Sequence, residues 1–222
     1  MTVCWFATWP TASVEPASLS DMLAATPALR QGLIYTPAST RDPYLDDGAP
    51  PQLVLQLYFA DIAELEAALT PHGHLQQLQA LGPEATQQAM LVRRHPVPDP
   101  EFRTPPGELP CTYLVAYEGA AEDLPAWLDH YITDHPPIMA RFPGIRQVEI
   151  YTCIDWCGGL PVPRVSHMQR NKVVFDNPAA LTAALNSPVR HAMRAAFSNF
   201  PPFSGPITHF PMATTMVLPD AR

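Results

Sequence analysis

The residues best suited to chemistry gather in the second half of the chain, in the run Trp127-Leu128-Asp129-His130-Tyr131-Ile132-Thr133-Asp134-His135-Pro136-Pro137. His135 is the foremost candidate. It lies eleven residues after Leu124, three helical turns on. That returns it to the apolar stripe of Leu124, Trp127, Leu128, Tyr131 and Ile132. An imidazole on the wall of an apolar pocket suits general acid–base work near neutral pH. Pro136-Pro137 should end or kink the helix just after it. The macrodipole at a helix C-terminus favours the protonated ring, and burial opposes it. The competing reading is a core histidine that holds the Pro-Pro turn through one hydrogen bond.

Other side chains could join it. Tyr131 and Tyr151 could orient a phenolic substrate, or both could be core aromatics. His209 and His95 occupy matching positions near the ends of the two halves, and a strand-end histidine on a rim is the plainer reading for both. His167 opens a strand beside a Gly/Pro loop and could face a pocket mouth. In the strand 147–154, Glu149 and Tyr151 alternate with Val148 and Ile150. In 167–175, Arg170 and Lys172 alternate with Asn171, Val173 and Phe175. If the second set packs under helices, Glu149, Tyr151, Arg170 and Lys172 face the other way. A buried Glu149 with Arg170 or Lys172 would be a structural ion pair before it is a site. Trp127, Glu149, Trp156, His167 and Arg170 are the candidate substrate contacts. No metal site is expected: His72 and His74 lack a nearby acidic or cysteine partner, and the loop Arg41–Gly48 lacks the spacing of a calcium loop.

These residues must be positioned by a repeated unit. Phe59 and Phe175 lie 116 apart, as do Leu65 and Leu181, Leu69 and Leu185, and the tripeptides Ile34-Tyr35-Thr36 and Ile150-Tyr151-Thr152. Ordered matches at one offset indicate a tandem duplication. Six prolines in PVPDPEFRTPPGELP make 96–110 an extended linker between repeats 1–95 and 111–222. Alternation in CTYLVAY, QVEIYTCI, HMQRNKVVF and ITHFPMATTMV predicts four strands in the second half. Asp123 is placed to cap a helix, Asp176-Asn177-Pro178 to start a second, and Ser187-Pro188 to cap another. The first half repeats this order with a shorter first helix that carries no histidine. The expected fold class is α+β: two ferredoxin-like βαββαβ repeats whose sheets pack on each other and enclose a barrel-like interior, the natural place for an apolar pocket. The long loops 37–51 and 155–166 could form lids.

Composition narrows the functional classes. The chain has 222 residues, 47% hydrophobic, with a formal charge of −8 and a single lysine, Lys172. No basic run suggests nucleic acid. No apolar run approaches the roughly 18 residues of a membrane helix. No signal peptide is read at the N-terminus. Cys4, Cys111, Cys153 and Cys157 fit free thiols, so a cytoplasmic location is expected.

The stretch from Trp127 to Pro137, followed by Phe142-Pro143-Gly144, resembles the EthD-like family of the dimeric α+β barrel superfamily. Tyr131, His135, Pro137, Pro143 and Gly144 match its pattern, and Phe175-Asp176 and Ser187-Pro188 also look like it. The match covers roughly 111–217, and reaches the first half only through the internal repeat. The resemblance implies a barrel that relatives build by dimerising, here supplied by one fused chain, with a homodimer of that chain as a further assembly. The superfamily includes cofactor-independent monooxygenases, polyketide cyclases, isomerases, dehydratase-like proteins and haem-binding branches. The resulting expectation is a cofactor-independent enzyme for proton transfer (isomerisation, dehydration, cyclisation or lysis) on a small hydrophobic, aromatic or polyketide-like compound. His135 would be the acid–base, with Tyr131, Tyr151 and His209 orienting substrate. The alternatives are a non-catalytic binding protein of a degradation pathway, and a cofactor-free monooxygenase or haem-binding barrel.

Overall fold

Each half folds as the duplicated pattern requires. In the computed structural model, which describes residues 2–12 and 14–219, the first half runs β1 (Val3–Trp9), α1 (Pro16–Ala24), β2 (Gln31–Pro37), β3 (Leu53–Phe59), α2 (Ile62–Leu69), a 3-10 segment (His74–Leu81) and β4 (Thr86–His95). The second runs β5 (Cys111–Tyr117), α3 (Leu124–Met139), β6 (Ile145–Cys153), β7 (Gln169–Phe175), α4 (Pro178–Leu185), α5 (Pro188–Phe197) and β8 (Ile207–Val217). Asp61, Asp123 and Asn177 cap α2, α3 and α4 by accepting the backbone N–H three residues on. Ser187 does not cap α5; its hydroxyl donates to the Ala184 carbonyl instead.

Two local expectations change. Helix α3 runs through Pro136 and Pro137 to Met139 rather than ending at His135. The two rings remove only donors near the last turn, and Met139 is buried in the core beyond them. The buried line of α3 is Trp127, Tyr131, His135 and Met139, spaced by four, whereas Leu124 is exposed.

The two sheets do more than face each other. All eight strands form one closed antiparallel barrel in the order β1-β3-β2-β8-β5-β7-β6-β4. Its two seams join the halves, with Ile34 opposite Thr215 and Arg94 opposite Glu149. An eight-stranded barrel is narrow enough to be filled by its own side chains. Cys4, Phe6, Tyr35, Val54, Tyr58, Met90, Tyr151 and Met212 fill this one. The interior is therefore a packed core, and the expected pocket is not there.

Glu149 and Lys172 lie within that core at 0% and 1% exposure. The Glu149 carboxylate accepts from Tyr58 Oη (2.5 Å), Tyr151 Oη (2.7 Å), Arg94 Nε (2.9 Å) and Gln147 Nε2 (3.0 Å), and lies 3.4 Å from Lys172 Nζ. Burial alone would raise its pKa. Lys172 first, then the two phenols and Arg94, hold it below the usual carboxylate range.

The proline-rich linker carries no helix or strand. It is tied down by Arg146, which donates to Asp99 and Asp176, and by the Arg103 N–H, which donates to Asp176. All four cysteines are free. Among the described residues, no helix is long and apolar enough to cross a membrane.

Glu149→Leu strands the Lys172 charge inside the barrel, so we expect a loss of about 3–5 kcal/mol, measured by urea unfolding. Because the folded-state pKa of Glu149 is depressed, its stabilisation is present above the unfolded carboxylate pKa. It is lost as pH falls through the folded value, so the wild-type unfolding midpoint should fall with acidification more steeply than that of Glu149→Leu.

Candidate active site

The helices cover the outer face of the barrel, and the two halves use that layer differently. In each half, the long loop between the second and third strands crosses onto the other half. The loop after β6 carries Leu160, Trp156 and Val162 into the helix–sheet layer of the first half, against Trp5, Trp9, Leu65 and Leu75. Gln87 anchors it by donating to the Leu160 and Val162 carbonyls, while Gly159 N–H donates to the Leu69 carbonyl. At Gly159 a Cβ would stand 2.9 Å from Pro71, so only glycine lets the loop pass this closely.

The reciprocal loop, after β2, lies over the second half and leaves a cavity of about 890 Å³ beneath it. That volume lies within the range of small-molecule sites. Its floor is the helix-facing side of the sheet: Tyr113, Val115 and Tyr117 of β5, Asn171, Val173 and Phe175 of β7, Ile207 and His209 of β8. Period-two alternation puts these residues on one face. His135 and Met139 of α3, Leu181 and Leu185 of α4, and Arg190, Met193 and Phe197 of α5 form the walls. Most of this lining is aliphatic or aromatic.

The loop from β2 supplies the polar edge. Asp47 Oδ2 lies 2.8 Å from His209 Nδ1 and also accepts from the His209 backbone N–H. With a carboxylate on Nδ1, that nitrogen carries the hydrogen, and Nε2 is left with its lone pair. Burial lowers the pKa of His209 below the ordinary histidine value, although Asp47 opposes the shift. His209 is thus neutral at pH 7 and oriented as a base. Next to it, Asp42 accepts from Tyr113 Oη (2.9 Å) and from Arg190 Nε and Nη2 (3.1 and 2.8 Å). Tyr44 packs against Arg190 and Arg194 and its hydroxyl pairs with His191 Nδ1 (2.7 Å). These contacts clamp the first half's loop over the second half's cavity.

His135 sits on the α3 wall against Phe200 and Tyr131, with ring centroids 4.8 and 5.0 Å away. Burial first, with His130, Arg190 and His209 adding to it, pulls its pKa down to about 3. Burial wins over the helix macrodipole, so the ring is neutral throughout the physiological range. Its Nδ1 is buried with no partner among the described residues. Tyr131 and Trp127 stack behind it (5.1 Å, 17°), and Tyr131 Oη accepts from Asn171 Nδ2 at 2.7 Å. They support the wall and do not line the cavity.

The remaining sequence candidates are elsewhere. Tyr151, Glu149 and Arg170 are on the opposite, barrel-facing side of the sheet; Arg170 lies over Phe6, 5.0 Å from its centroid, and donates to Gln88. His167 precedes β7, and its carbonyl accepts from Gln88 and Cys153. Trp156 belongs to the loop that fills the first half, stacked under Arg164 at 3.9 Å. None of the five can share a ligand with His135, because the sheet or half the molecule intervenes. Conversely, Asp47, Tyr113, Asn171 and Arg190 line the cavity, and Asp42 holds two of them, without having been singled out as site residues. The strand alternation had marked the face of Asn171. Nothing local links Asp47 to a histidine 162 positions away. Among the described residues, no group of three or more His, Cys, Asp or Glu is arranged to hold a metal ion.

No family model matches the chain, and no curated protein matches it. Solved structures do. An anthrone oxidase-like protein superposes with a TM-score of 0.66 at 10% identity, over 99% of this chain and 94% of that one. A candidate monooxygenase from Fusobacterium nucleatum gives 0.62 at 7% identity, over 98% and 94%. One from Lactobacillus acidophilus gives 0.57 at 10%, over 98% and 96%. At these identities the likeness is one of fold, and it agrees with the strand order. The chain has the dimeric α+β barrel fold, with both halves of the barrel supplied by a single polypeptide.

Proposed function

We propose that this chain is an enzyme that moves a proton on a small, apolar, aromatic or polyketide-like compound, using the Asp47–His209 pair as its base and no cofactor for that step. The observation that carries the reading is an imidazole held by a carboxylate at the edge of a mostly aliphatic and aromatic cavity of about 890 Å³. His209 Nε2 takes the proton. Asp47 holds the ring's tautomer and stabilises the imidazolium that forms. The aliphatic and aromatic walls favour a flat ring system. The match of Tyr131, His135, Pro137, Pro143 and Gly144 supports an EthD-like assignment within the superfamily. The likeness to an anthrone oxidase-like protein supports a fused aromatic ketone as the first probe.

Anthrone in deuterated buffer under nitrogen tests this directly. The protein should catalyse exchange at the acidic ring CH2, followed by NMR, and His209→Ala should slow it by about 10²–10⁴-fold. An unchanged rate in His209→Ala would end the assignment. The same mixture in air reads out the oxygenase alternative as oxygen uptake. A Soret band in the purified protein would replace the cofactor-free reading with haem binding.

The pH profile follows from the shift of His209. Its base form is lost on acidification, so the exchange rate should rise with pH to a plateau, with a midpoint below the ordinary histidine value. Because Asp47 raises the His209 pKa, Asp47→Asn should move that midpoint down and lower the plateau.

A further inference from the structure

We infer that the two cavity histidines present opposite tautomers to the ligand, His209 as an acceptor through Nε2 and His135 as a donor through Nε2–H, so that the site selects an enolisable aryl ketone. This rests on the base reading of His209.

The argument for His135 is one of satisfaction. The residue is 96% buried (4% exposed), and its ring lines the cavity. A neutral imidazole has one N–H and one lone pair. Nδ1 is enclosed with no partner. Placing the hydrogen there would bury an orphan donor, the rarer and costlier defect; placing the lone pair there leaves an orphan acceptor. The hydrogen therefore belongs on Nε2, the remaining nitrogen. The groups around the ring are Tyr131 and His130 of its own helix, Phe200 after α5, Arg190 of α5 and His209 of β8. None is a carboxylate that would draw a second proton onto it.

The chemistry then balances within the site. His209 Nε2 takes a proton from a carbon conjugated with the carbonyl, which in anthrone is the ring CH2 opposite it. The C–H electrons pass into the conjugated ring system, and the carbonyl π electrons move onto oxygen, where His135 Nε2–H donates to the developing charge. Return of the proton from His209 to the same or a conjugated carbon completes exchange or isomerisation, with no net oxidation. A neutral imidazole N–H can act as such an electrophile without giving up its proton. His135 is thus assigned to the ligand oxygen and His209 to the ligand C–H.

Two measurements test this without relying on turnover. Long-range 1H–15N spectra of 15N-histidine protein, assigned with His135→Gln and His209→Gln, should show His135 as a neutral Nε2–H ring from pH 5.5 to 8 and His209 as Nδ1–H at pH 8. Binding of anthrone should exceed that of 9,10-dihydroanthracene by about two- to tenfold, the worth of one neutral hydrogen bond. His135→Leu should abolish this preference, and His135→Gln should keep part of it. A His135 ring protonated at Nδ1, or an anthrone preference undiminished in His135→Leu, overturns the proposal. Intact tautomers and preference with no deuterium exchange overturn the base reading of His209 instead.

Discussion

The carboxylate of Glu149 is where the two halves of this molecule are tied together. It stands on β6, at the seam with β4. It receives Tyr58 and Arg94 from the first half, and Tyr151, Gln147 and Lys172 from the second. A closed eight-stranded barrel leaves no room for water to solvate a charge at its centre. Each of these groups therefore depends on the others being in place. The cluster spans the β4–β6 seam, where Arg94 stands opposite Glu149. The polar centre belongs to the scaffold, even though it holds the chain's most conspicuous ionisable residues.

With the barrel interior packed, the cavity of about 890 Å³ lies between sheet and helices. Here the duplication has diverged. Both halves send a loop across to their neighbour. The loop after β6 ends in bulky side chains and packs the first half full. The loop after β2 carries Asp42, Tyr44 and Asp47, which grip the rim of the second half and leave the volume beneath open. The half that has the histidine helix keeps the cavity, and the half that lacks it supplies the cover. The site is composite although one repeat bears nearly all its walls.

His135 and His209 show how position alone separates two chemically identical side chains. A carboxylate on one ring nitrogen orients His209 and leaves the other nitrogen basic. An apolar wall with cations beyond it keeps His135 uncharged. Of the two opposing influences at His135, burial prevails, because desolvation of a nearly fully buried charge outweighs a dipole effect of about 0.3–1 kcal/mol.

Much of this was legible in the primary structure, because it depends on local periodicity. The 116-residue offset, the strand alternation of 147–154 and 167–175, the cap at Asp123 and the helix start at Asn177 each follow from backbone geometry and the need to bury apolar faces. They determined a duplicated α+β chain, and correctly put Glu149, Tyr151, Arg170 and Lys172 on one side of the sheet and Asn171, Val173 and Phe175 on the other. Three things were decided only in three dimensions. The seams closed the barrel and turned its interior into core. The crossing loops filled one helix layer and left the other open. A loop aspartate from the first repeat met a strand histidine from the second. Each depends on which distant groups converge once burial has been satisfied, and no spacing along the chain encodes such a meeting.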